Sequence, residues 1–256
     1  MRYNGALKTA NSRVLTLAKS IAGMSLFYAP IRLIKNIREV TSEFEMQRVA
    51  LGGIIQDTEM AQELFGQIKA AAIKSPFEIK DLVTYTKQLS AYRIETDKLF
   101  DVTMRLADIS AGLGVDMNRL ILAYGQVRAA SVLRGQELRQ FTEAGIPLVE
   151  LLAEKFSQLR GDMVSTADVF ELISKRAVSF SMIEEIFNDM TDAGGIFYNM
   201  QEKQSETLKG QWMKLKDAVS IMYDEIGNTA AVHEAMEAMM STLLKMFQGW
   251  QKMASW

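Results

Sequence analysis

The chain has 256 residues with a formal net charge of -2, 48% apolar side chains, three prolines and no cysteine. The apolar content excludes wholesale disorder, and the missing cysteine excludes disulfides, thiolate nucleophiles and cysteine-ligated metals. Charge is unevenly spread: residues 1–38 carry seven basic residues (Arg2, Lys8, Arg13, Lys19, Arg32, Lys35, Arg38) and no acid, so the remainder carries about -9.

Few prolines, and a predominance of Leu, Met, Ala, Glu, Gln, Lys and Arg, predict an all-α chain. The expected architecture is a compact multi-helix domain flanked by long amphipathic helices. The longest uncharged apolar stretch, Ser20 to Ile31, is too short to span a bilayer, which needs about 20 apolar residues. No signal-peptide cleavage pattern follows it. The first element runs from about Lys8 to Ile55, with apolar residues stepping by three and four from Leu7 through Val14, Ile21 and Ile31. Pro30 predicts a kink or break near Phe27–Pro30, and Gly52 and Gly53 weaken the far end. This basic amphipathic arm suits an acidic protein surface, nucleic acid or anionic lipid, or pairs with the acidic remainder of its own chain or a sister copy.

From about Thr58 to Gly195 the chain reads as short helices with short turns. A helix covers Glu59 to Lys74. Ser75-Pro76-Phe77-Glu78 has the form of a capping box with proline at the first helical position, and precedes Leu82, Tyr85, Leu89 and Tyr92. Asp97 to Leu113 presents Leu99, Val102, Leu106 and Ile109, and Asp116 caps a helix carrying Leu120, Tyr124, Val127 and Val132. Gln136–Glu143 ends at Gly145, and Pro147 opens a helix to Gly161. Ser165–Asp168 starts one helix and Ser181–Glu184 another, which ends at Gly194-Gly195.

The last part, 196–256, reads as two long amphipathic helices or one broken helix. Leu208, Trp212, Leu215, Val219, Met222 and Ile226 alternate steps of four and three. After Gly227-Asn228 the pattern restarts at Val232 and continues through Met236, Met239, Leu243, Met246 and Trp250. Such spacing suits packing between long helices, within one chain or between chains, and these residues are the candidate packing surface. The methionines and tryptophans at the end suit either a core stripe or an adaptable partner-binding strip.

Chemistry-bearing patterns are sparse. The single histidine, His233, lacks a partner ligand or base. Gly112-Leu113-Gly114 has Met117 where a dinucleotide loop needs glycine, and reads as a helix end. Glu184, Glu185 and Asp189 form an acidic helix face, and a solvated face is the more economical reading than a glycosidase pair. No catalytic, metal or cofactor site is assigned.

Three blocks resemble tail tape measure proteins of bacteriophages and prophages: Ser75–Leu82 with Lys87–Tyr92, Leu133–Pro147, and Gly194–Ser205 continuing through Thr207–Gly210 to Trp212. They follow the family's order across roughly residues 40 to 225. The resemblance implies a structural component of the virion tail, made in the host cytoplasm. It also implies partners: sister copies, tail tube and tail tip proteins, and tail assembly chaperones. The long helical chain would fill the tube lumen and set tail length. Membrane contact during DNA ejection is the alternative role; no specific nucleic-acid site is implied, and a cell-wall hydrolase is the enzymatic alternative. Even as one helix the chain would reach only about 380 Å, so it reads as a fragment or degraded copy containing the family's globular region. Its expected division is a basic arm at 1–57, a compact helical domain at 58–195 and long C-terminal helices at 196–256.

Overall fold

The computed structural model describes residues 28–229. Eleven α-helices make up these residues: α1 (Tyr28–Ile55), α2 (Thr58–Ala72), α3 (Ile79–Ala91), α4 (Leu99–Leu113), α5 (Met117–Ala130), α6 (Gly135–Glu143), α7 (Leu148–Arg160), α8 (Thr166–Ser174), α9 (Phe180–Thr191), α10 (Met200–Ser205) and α11 (Leu208–Gly227), with a 3-10 turn at Thr96–Lys98. The fold is all-α, and the only extended pairing among the described residues is a bridge between Val132 and Ser179. The arm from Lys8 to Phe27 lies outside the described residues, as do His233 and the methionine-rich segment from Val232 onward.

The chain divides into two compact units, residues 1–44 with 222–256 and residues 45–221. In the described part of the first, Ile37, Thr41, Phe44 and Asp224 are buried. A β-carbon built at Gly227 would lie 1.9 Å from the Thr41 hydroxyl oxygen, so only glycine permits this approach.

The second unit is organised on α4, which packs against α2, α3, α5, α9 and α10. Its sequence explains this position. Leu99, Val102, Leu106 and Ile109 form the expected stripe, while Thr103, Ala107, Ser110 and Ala111 are small enough for neighbours to approach from other sides; all are buried. Thr103 meets Thr86 of α3 hydroxyl to hydroxyl at 3.1 Å, and each hydroxyl also reaches its own helix carbonyl four residues back. Gly114 ends α4 in the left-handed region (φ 67), as the Gly-Leu-Gly pattern requires. Asp116 caps α5, and Ser165 with Asp168 forms a complete capping box on α8.

An aromatic cluster joins α5, α6 and α9. The Tyr124 ring lies 5.2 Å from Phe180 and 5.3 Å from Phe187, and Phe141 lies 5.3 Å from Phe187. Burial pushes the Tyr124 phenol well above its ordinary pKa. Beside this cluster, Leu133 N–H donates to the Val178 carbonyl and Phe180 N–H to the Ser131 carbonyl, tying two loops together.

Three local expectations are corrected. Ser75-Pro76-Phe77-Glu78 does not cap a helix of its own: α3 starts at Ile79, and the Ser75 hydroxyl instead donates to Gln201 Oε1 at 2.9 Å. The same hydroxyl oxygen still accepts from Phe77 N–H at 3.2 Å, a local turn that ends before α3 begins. The helix predicted from Ser181 starts at Phe180 because Ser179 is the residue whose hydroxyl accepts from Met182 N–H. Val132 is not helical, since α5 ends at Ala130, Ser131 turns left-handed, and Val132 forms the bridge to Ser179.

Candidate interaction surface

The third block of the sequence is folded onto α4 through polar bonds. Gln201 is the hub: its N–H donates to Asp108 Oδ1 at 2.8 Å, its side-chain amide donates to the Met104 carbonyl at 2.9 Å, and its carbonyl oxygen accepts from Ser75. Gln204 donates to the Ala111 carbonyl at 2.8 Å. Burial raises the Asp108 pKa, against the lowering effect of the bonds from Gln201 and Met200. Two glycines make the docking possible. A β-carbon at Gly112 would lie 2.6 Å from the Phe197 ring, and one at Gly195 would lie 2.3 Å from the Met190 carbonyl oxygen. The first and third blocks thus meet at α4 through Ser75 and Gln201.

This docking sets the attitude of α11. Gly210 lies so close to the end of α10 that a β-carbon there would come within 2.5 Å of the Gln204 carbonyl oxygen. Further along, Asp217 is buried near Ile79 N–H, the first amide of α3, and its Oδ2 has no hydrogen-bond partner. Lys216 donates to Glu78 at 2.7 Å and Lys80 approaches the same carboxylate at 3.2 Å. Burial pushes the Glu78 pKa up, but these two lysines outweigh it and hold it below the usual carboxylate range. For Asp217 burial prevails and the pKa rises to about 6.

Helical geometry places Asp217 opposite the predicted apolar strip. At about 100° per residue, Leu208, Trp212, Leu215 and Val219 fall in one narrow sector, and Asp217 lies about 180° from Leu208, which is inside that sector. Leu208 is 88% exposed, Trp212 68% and Leu215 55%, while Val219 is half-buried. Met222 and Ile226 continue the spacing on the last turns of α11, one exposed and one half-buried. Met236, Met239, Leu243, Met246 and Trp250 lie outside the described residues. An ordinary amphipathic helix buries its apolar stripe; within residues 208–221, α11 instead buries Asp217 and turns Leu208, Trp212 and Leu215 to solvent. The spacing identified the strip, but nothing in it marked Asp217 as buried. The available signal was an acid on the face that glycine at Gly210 opens to close contact.

The other candidates resolve into structure. Glu184 pairs with Lys98 at 2.9 Å, and Glu185 and Asp189 both pair with Lys155 of α7, at 3.0 and 3.3 Å. The acidic face of α9 therefore serves ion pairs to neighbouring elements. Among the described residues no cluster of three or more metal-ligating side chains occurs, and no helix is long and apolar enough to cross a membrane.

Residues 35–228 match the family model described as tape measure protein. No curated protein and no solved structure matches the chain. The matched region takes in all three sequence blocks, the central α4 on which the first and third meet, and the whole of α11. The chain therefore belongs to the tape measure protein family, whose role is structural and lies in the phage tail.

Proposed function

We propose that this chain works in the tail by helix-to-helix packing, with the α11 strip lying against the same strip of a sister copy. The observation that carries the reading is the inverted attitude of α11. Its polar side is committed through Lys216 to Glu78 and through the burial of Asp217, and Leu208, Trp212 and Leu215 are left for an external partner. The four-and-three spacing suits a second helix of the same kind, because knobs at such positions interleave with an equivalent seam. Family membership supports a place along the tail lumen, with tail tube and tip proteins and assembly chaperones as further partners. A division into a basic arm at 1–57, a helical domain at 58–195 and C-terminal helices at 196–256 belongs to the same proposal, with the arm available to an acidic tail protein.

Trp212→Glu with Leu215→Glu tests the packing. Both side chains are exposed, so the fold and its helical circular dichroism are expected to persist. Sedimentation of the purified chain should show concentration-dependent self-association that the double variant weakens by about 100-fold, equivalent to about 3 kcal/mol. In a phage encoding the chain, the same variant should reduce the yield of complete tails. A parent chain that stays monomeric at high concentration, with normal tails from the variant, would refute the proposal.

A further inference from the structure

A second surface, made from different residues, has a different character. Between α6, α7 and α8 lies an open groove of about 600 Å³. Its floor holds the buried Leu138 and Ile173, and Phe170 stands beside them 54% exposed. Arg134, Arg139 and Arg176 line the same groove, and all three are exposed. Arg134 and Arg176 have no ion-pair partner among the described residues. Arg139 has only a 3.9 Å contact to Glu143, with both side chains more than half exposed, which contributes little in water.

We propose that this groove docks an acidic amphipathic helical segment of a partner protein. Charge complementarity selects the sign: three arginines that neutralise nothing strongly among the described residues are set to meet carboxylates, to which guanidinium groups bond in fork geometry. The floor selects the class. Leu138, Ile173 and Phe170 offer apolar contact to side chains one helical turn apart, whereas a nucleic-acid backbone or a lipid headgroup would use the arginines and leave that floor uncovered. Arginine with an exposed aromatic beside buried aliphatics is also the composition of an interface centre. The second sequence block, Leu133–Pro147, supplies Arg134, Leu138 and Arg139, which gives those positions a role beyond ending one helix and starting the next.

The test uses the full chain and a short fluorescent helical peptide with Leu and Phe on one face and Glu on the other. A twin peptide carries Gln for Glu. The Glu peptide should bind with an affinity that falls as salt rises, and the Gln twin should bind at least about tenfold more weakly. Arg134→Glu should weaken the Glu peptide by about tenfold or more. Arg176→Gly guards against unfolding as the explanation: Arg176 occupies the left-handed region (φ 57), which glycine prefers, so this variant should keep or raise the melting temperature and still lose affinity. The proposal is overturned if neither peptide binds, if the Gln twin binds as well, or if both variants bind normally. It is also overturned if a single-stranded DNA oligonucleotide or phosphatidylserine vesicles bind through the same arginines and displace the peptide.

Discussion

Asp217 links a residue to pH. Its pKa rises to about 6 chiefly because burial disfavours the charge; the nearby Ile79 N–H and Lys216 oppose the rise, while Glu78 and Asp81 add to it. The sign follows from linkage. The folded chain holds this proton more tightly than the unfolded one, so the group contributes most stability below about pH 4, and that contribution is lost as pH rises through about 6. Asp217→Asn keeps the size of the side chain and carries no charge. The melting temperature of the variant should therefore exceed that of the parent at pH 7, and the difference should shrink steadily toward pH 4.5. A difference that does not change with pH would show that Asp217 is not desolvated in solution. Glycines make a second residue-scale test. At Gly125 a β-carbon would come 2.2 Å from Cδ2 of Tyr92, whereas at Gly66, on the exposed side of α2, it would meet nothing within 4 Å. Gly125→Ala should cost about 1–3 kcal/mol by overpacking, and Gly66→Ala should stabilise by about 1 kcal/mol through helix propensity. Thermal denaturation of the two variants should shift in opposite directions.

At the scale of elements, α10 shows how a six-residue helix can be held without an apolar face of its own. Gln201 binds a backbone carbonyl of α4, a carboxylate of α4 and the Ser75 hydroxyl before α3. Gln201→Ala deletes two of these bonds in a buried setting and should cost about 1–3 kcal/mol. Hydrogen exchange should localise the loss, with amides of α10 exchanging faster while those of α5 and α6 keep their protection; uniform acceleration would contradict this. The same helix marks where reading the sequence stopped. The stripe Leu99, Val102, Leu106, Ile109 announced α4, and Asp116, Gly145, Gly161 and Ser165 announced their helix ends, because each acts through neighbours a few residues away. Ser75 looked like a cap for the same local reason, and its oxygen does accept from Phe77 N–H, but its proton goes to Gln201, 126 residues later. The α11 strip was legible as spacing, but its outward attitude was not. That attitude depends on Asp217 meeting Ile79 and on Gly210 meeting the end of α10, and both are long-range matches that periodicity does not encode.

At the scale of the whole molecule, the fold changes what a length-setting role demands of this region. Residues 45–221 written as one continuous helix would extend about 265 Å. Folded into a compact unit, the same residues measure about 40 Å across, by the usual scaling of domain size with length. Short helices folded back on one another therefore consume sequence without adding proportional reach, and a ruler built from such a unit counts domains more than residues. Each extra residue in a turn, such as the loop between α7 and α8, would add almost nothing to length. In a phage whose tape measure gene contains this chain, deleting residues 45–221 in frame should shorten the tails by about 40 Å or less, measured by electron microscopy of negatively stained particles. Shortening near 265 Å would mean that the unit opens into an extended rod inside the tail, and the packing on α4 would then belong only to the chain before assembly.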